Sequence, residues 1–299
     1  MTKIHNLSIV LSFFGLWITS MFSGELEIIL GFILIFSFGI LHGSNDILLI
    51  NSISNAKTTY PFFRVLGTYI LTVLSAVIIF YFLPLVGLTL FILFSAYHFG
   101  EQHWENRLLN KNQLITNLYY IFYGLFILML VFVFNKQEVI AVIKSITLHQ
   151  LTTNTIDYYF VATSIIFLFL FLYEIYHSKK FRTIFLLEIF YLIIFTIIFK
   201  VSTLIWGFTI YFILWHSIPS LFEQITFIYG DFNKKNILNY LKNAVPYWLI
   251  SIIGLMVVFQ IFKEEKLLYA IVFSFIAAVT FPHSLVINKM FKHKKTQPN

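Results

Sequence analysis

The chain has 299 residues, of which 59% are hydrophobic, 20% aromatic and only 11% charged. A soluble domain carries about 25% charged residues, so a water-soluble fold is excluded, and no polar stretch is long enough for a separate soluble domain. With no cysteine, disulfide, zinc–thiolate, iron–sulfur and thiol-nucleophile chemistry are excluded too, leaving His, carboxylate or a prosthetic group for any metal.

Apolar runs of about 20 residues, the length of a bilayer-crossing helix, recur from end to end. The expected spans are Leu7–Met21, Leu26–Ile50, Leu66–Leu83, Leu85–Trp104 and Leu114–Phe134, followed by Tyr159–Tyr176, Phe181–Ile198, Leu204–Ile228, Val245–Phe262 and Leu267–Met290. The first could instead be a secretory signal, since a lysine precedes it and small residues follow, but it carries no convincing cleavage site. The third and fourth are divided only by Pro84 and Gly87, which favour a tight turn over one very long helix. The loop from Asn135 to Tyr158 has room for a short interfacial helix. The predicted fold is therefore all-α: a polytopic integral membrane bundle of about ten helices forming one domain, residues 1–299.

The formal net charge of +7 sits in short loops and reads as a topology signal, so no nucleic-acid partner is expected. In the ten-span arrangement only Lys136, Lys144, Lys200, Lys263 and Lys266 lie on one side. The other 15 of the 20 Lys and Arg lie on the opposite side, with both termini. Basic residues concentrate on the inner side of a membrane, so both termini are expected in the cytoplasm of a multi-pass protein of the cell inner (plasma) membrane.

Four apolar runs end in histidine-bearing motifs: Leu41-His42-Gly43-Ser44-Asn45-Asp46, Tyr97-His98-Phe99-Gly100-Glu101, Trp215-His216-Ser217-Ile218-Pro219 and Phe281-Pro282-His283-Ser284. They fall on spans two, four, eight and ten, all running toward the cytoplasm. Each histidine lies a turn or two before its helix leaves the bilayer. An ionisable side chain in a span is costly unless it faces the protein interior and finds a partner. Four at one depth form a candidate metal site of His42, His98, His216 and His283.

Asp46 follows His42 by four residues, Glu101 follows His98 by three and Glu223 follows His216 by seven. Each spacing puts the acid on the helical face of its histidine. The acids are candidate partners for the imidazole N–H, ligands or proton carriers. Pro219 and Pro282 are expected to kink their helices beside His216 and His283, and Gly43 and Gly100 to allow close approach of a helix or substrate. His103, five residues past His98, is the alternative fourth ligand. His5, His149, His177 and His293 read as solvated. By residue type alone such a site suits iron, copper or zinc. A proton-coupled transporter with a His/acid relay and a bis-histidine haem redox subunit stay open.

The four motifs, in this order, resemble the Brp/Blh family of membrane β-carotene 15,15′-dioxygenases. The resemblance implies central cleavage of β-carotene by O2 to two molecules of retinal, at a non-haem Fe(II) held by histidines, with hand-over of retinal to a rhodopsin. Carried over, the ligands are His42, His98 and His216, with His283 as the fourth. Some relatives carry a further histidine one helical turn after the position of His216, where this chain has Ser220. The substrate suits the chain: a carotenoid is about as long as the hydrocarbon core is thick, roughly 30 Å, so its enzyme is expected in the lipid bilayer.

Overall fold

The computed structural model describes residues 2–53, 62–105, 107–108, 112–261 and 268–296. Among them there is no strand, and nearly every residue is helical. In chain order the helices begin with α1 (Thr2–Thr19), α2 (Gly24–Leu34), α3 (Ile40–Gly43), α4 (Asp46–Ile53), α5 (Phe62–Phe82), α6 (Pro84–Trp104) and α7 (Gln113–Phe134). They continue with α8 (Lys136–Thr147), α9 (Thr153–His177), α10 (Lys179–Val201), α11 (Leu204–Ile210), α12 (Ile218–Tyr229), α13 (Lys234–Ile261) and α14 (Leu268–Thr296). Two π-helical segments, Ile35–Gly39 and Tyr211–Ser217, join α2 to α3 and α11 to α12.

Eight described stretches are long and apolar enough to cross a membrane: Gly24–Ile53, Pro84–Trp104, Gln113–Phe134, Thr153–His177, Lys179–Val201, Leu204–Tyr229, Lys234–Val257 and Ile271–Lys294. The other two expected crossings coincide with shorter apolar helices, Ile4–Thr19 and Leu66–Phe82. Lys57, Lys111, Lys263 and Lys266 of the charge pattern, and the expected span ends Phe262 and Leu267, lie outside the described residues.

The division at Pro84 is real. Helix α5 ends at Phe82, α6 opens on Pro84, and the Leu83 carbonyl accepts the Gly87 N–H. A Cβ on Gly87 would come within 3.2 Å of the Phe80 Cα. Seven residues of straight helix would separate those backbones by about 10 Å, so the chain turns back sharply. The expected helix in the loop after Asn135 is present as α8.

The chain groups into two units. The first contains Met1–Ile35, Ser95–Lys144 and Leu148–His216; the second contains Phe36–Phe94, Ser145–Thr147 and Ser217–Asn299. The boundaries at residues 35/36, 94/95 and 216/217 fall inside helical stretches of the sequence.

In the first unit, α7, α9 and α10 pack together around aromatic rings. Trp104 stacks on Phe181 at 5.3 Å and meets Tyr119 and Tyr123 edge-on. Such offset and edge contacts add to the burial of large apolar area. Helices α6 and α7 touch backbone to backbone, because a Cβ at Gly100 would collide with the Tyr120 carbonyl and one at Gly124 with the Ala96 carbonyl. Small residues permit this approach where lipid gives helices little hydrophobic reason to associate.

Helix α11 is capped from two other helices. Glu27 accepts from the Thr203 hydroxyl at 2.9 Å, and Glu138 accepts from the Leu204 N–H at 3.2 Å. Carboxylates there satisfy N–H groups that a helix start leaves open. Partial burial, reinforced by the Glu27 charge, holds the Glu138 carboxyl above the usual carboxylate range, against the opposing bond from Leu204.

In the second unit, α14 packs on α5 and α4, and α13 on α3. One core cluster is Leu49, Val286, Ile287, Met290 and Phe291; another is Ile225, Tyr240 and Ala244. Pro282 lies within α14 and Pro246 within α13, whereas Pro219 sits in the first turn of α12, directly after a π segment.

Candidate metal centre

The second unit supplies His42 and His283. His42 lies in α3, the short helix that follows the first π segment. Single π turns widen a helix locally and re-aim its side chains, and they occur often at functional sites. His283 follows Pro282 in α14. Both are buried, and their rings meet edge to face with centroids 4.7 Å apart.

Behind this pair stands Asp46. Its Oδ1 lies 2.7 Å from His283 Nδ1, and its Oδ2 accepts the Tyr69 hydroxyl at 3.2 Å. The helical spacing assigned Asp46 to His42. The turn at Ser44 and Asn45 separates α3 from α4, and the structure places the carboxylate on His283.

A second hydrogen-bonded chain holds the backbone at His42. The Tyr240 hydroxyl reaches the His42 carbonyl at 3.2 Å and Gln224 Oε1 at 2.7 Å; Asn45 Nδ2 donates to the Tyr240 carbonyl at 3.0 Å. Gln224 in turn donates to Ser220 Oγ at 3.0 Å. All of these side chains are buried. A satisfied polar network in a core rigidifies what it touches.

The first unit supplies His98, within α6, and His216, within the second π segment. They too are buried and meet edge to face at 4.7 Å. Phe212 stacks on the His216 ring at 5.6 Å and Phe99 approaches it at 4.7 Å. Glu101, one turn past His98, accepts the Tyr97 hydroxyl at 3.0 Å. Glu223 is buried in α12 of the second unit. Gly100 serves helix packing, as described, whereas Gly43 lies beside His283, where a Cβ would make ordinary contact at 3.6 Å from Nδ1.

His103 has other company. Its Nε2 lies 2.7 Å from Glu188 Oε2, its ring stacks on Tyr123, and Arg107 pairs with the other Glu188 oxygen. Arg107 also reaches His5 Nε2 at 3.1 Å. His5, expected to be solvated, is buried and stacked on Tyr191 at 5.5 Å. Helix α1 already begins at Thr2, which carries His5 into the packed interior of the first unit. His293, expected to be solvated as well, is half-buried against Phe227.

Sequence reasoning missed Glu188, Tyr69, Tyr240 and both π segments. Glu188 had a signal, since a lone acid in the middle of an apolar span calls for a named partner. A tyrosine in an aromatic-rich helix and a π turn have none.

The donors suit a divalent transition metal. Imidazole is a good ligand for iron, copper or zinc, and a carboxylate on one ring nitrogen leaves the other available as a donor, the arrangement seen behind many metal-bound histidines. Comparison with curated proteins and with solved structures returned no match. A family model described as beta-carotene 15,15'-dioxygenase matches residues 33–291, a stretch that contains all four histidines with their neighbouring acids, and the chain therefore belongs to that family.

Proposed function

We propose that the protein is a membrane-embedded oxygenase that cleaves β-carotene at its central double bond with O2, giving two molecules of retinal. His42, His98, His216 and His283 are the proposed ligands of one non-haem Fe(II). The carbon–carbon double bond and the O–O bond break, and two aldehyde C=O bonds form. The carbons are oxidised, O2 is reduced, and no proton is gained or lost overall. The observation that carries this reading is the family match over a stretch holding two buried, ring-to-ring histidine pairs.

Iron, when bound, supplies the binding and activation of O2. The chain's own residues supply position and dryness. Asp46 holds the His283 proton on Nδ1, so that Nε2 is the nitrogen that would face the metal. Tyr240 and Asn45 fix the backbone that carries His42. Phe99 and Phe212 surround His216 with apolar rings, which exclude water and offer a polyene a surface to lie against. Holding the polyene so that one double bond alone is in reach of O2 is the protein's main contribution to rate and to cleavage position. Glu101, with Tyr97, and the buried Glu223 are proposed to support this centre as polar partners. Both termini are proposed to be cytoplasmic, in the plasma membrane. Retinal released into the same bilayer is the chromophore that a rhodopsin would take up.

The test is expression in a β-carotene-producing host, with retinal measured by chromatography and iron measured in the purified protein. Retinal formation with about one iron per chain is expected. Full cleavage by His98→Ala, or cleavage by protein that holds no iron, would overturn the proposal.

A further inference from the structure

The Asp46 carboxylate is buried within the apolar second unit. A carboxylate in such a place is costly unless it is paired and hydrogen-bonded. Among the described residues its ion-pair partner is His283, and its other oxygen is held by a neutral phenol, Tyr69. These three side chains come from three helices, α4, α5 and α14, which pack on one another. The bond at His283 Nδ1 is short, at 2.7 Å, and a carboxylate oxygen can only accept there. The Nδ1 atom therefore carries the proton. A cation at Nε2 would offset the buried negative charge through the ring, and the negative charge would make the imidazole a stronger donor.

We infer that Asp46 and Tyr69 are positioning residues for His283: the carboxylate holds the imidazole as its Nδ1–H tautomer, and the phenol holds the carboxylate. Nε2 is then the atom offered to a divalent metal ion. This rests on the reading of His283 as a ligand and extends it to a side chain, Tyr69, whose sequence position carries no metal-site signature.

The experiment is a metal titration of the full-length protein in lipid nanodiscs, with Fe(II) and Co(II) affinities measured by chelator competition. The Co(II) absorption spectrum reports the ligand field. Asp46→Asn is expected to weaken affinity about 10–100-fold, the usual effect of losing such a partner, and to shift the Co(II) bands. Tyr69→Phe keeps the ring and the fold and is expected to weaken affinity by about threefold. Asp46→Glu should recover part of the loss. In a His283→Ala background neither Asp46→Asn nor Tyr69→Phe should change affinity further, because the path through the imidazole is gone.

Wild-type affinity and an unshifted spectrum in both variants would overturn the inference, and so would losses of equal size in the His283→Ala background. If the wild-type protein bound neither ion, the inference and the iron reading would fall together. Metal binding that follows the expected pattern in a protein that never cleaves β-carotene would leave the inference standing and sink the proposed activity.

Discussion

Among the described residues, the buried pairs His103–Glu188 and His283–Asp46 have the same length, 2.7 Å, and different surroundings. In the first unit, Glu188 faces His103 with one oxygen and the Arg107 guanidinium with the other, and Arg107 also reaches His5. The permanent charge of Arg107 satisfies that carboxylate, and the cluster ties α1, α6 and α10 together. In the second unit, the other oxygen of Asp46 meets a phenol among the described residues, and its histidine lies ring to ring with His42. The same pair of functional groups is a structural tie where a cationic side chain completes it. Where a neutral one completes it, beside His283, the pair is the one proposed to serve a metal.

The comparison breaks most easily through the histidines themselves. His98→Ala, His42→Ala and His216→Ala are expected to abolish retinal formation and bound iron, whereas His103→Ala should keep iron at the wild-type level. Iron lost from His103→Ala with the fold intact would erase the distinction between the two pairs.

Next in size is Glu188→Gln. Removing one partner of a buried ion pair leaves the other charge uncompensated and costs about 3–5 kcal/mol. A fall in thermal stability is expected, with normal metal affinity in the protein that remains folded. An unchanged unfolding temperature would show that the cluster is not a tie. A variant that folded stably yet lost its metal would move Glu188 to the metal centre.

A third perturbation displaces His98 without touching it. Gly100→Ala forces α6 away from the Tyr120 carbonyl, and overpacking of this kind costs about 1–3 kcal/mol. Lower stability together with lower cleavage is expected. Gly100→Ser should be at least as harmful, and either variant behaving as wild type would show that the α6–α7 contact can yield.

The smallest effect expected is that of Tyr240→Phe, which removes a hydroxyl from the His42 carbonyl and from Gln224. Leaving buried acceptors unsatisfied costs about 1–3 kcal/mol, with a few-fold loss of retinal formation. Unaltered stability and cleavage would mean that other contacts suffice to hold His42.

Much of this was legible in the chain. Hydrophobic runs long enough to span a bilayer, interrupted at Pro84 and by charged loops, locate the helices, because apolar length is what lipid reads. The four histidines stand out for the same reason: an imidazole in such a run has to be explained. Distances between helices are another matter. Spacing along one helix assigned Asp46 to His42, but the turn at Ser44–Asn45 and the packing of α14 on α4 brought it to His283. Its place near the N-terminus put His5 on a solvated tail, and the packing of α1 on α10 buried it against Tyr191 and Arg107. Sequence reports which residues are costly to leave in lipid, since that cost belongs to each residue alone. Which partner relieves the cost depends on helix crossings set by packing across distant parts of the chain, and only the tertiary structure decides it.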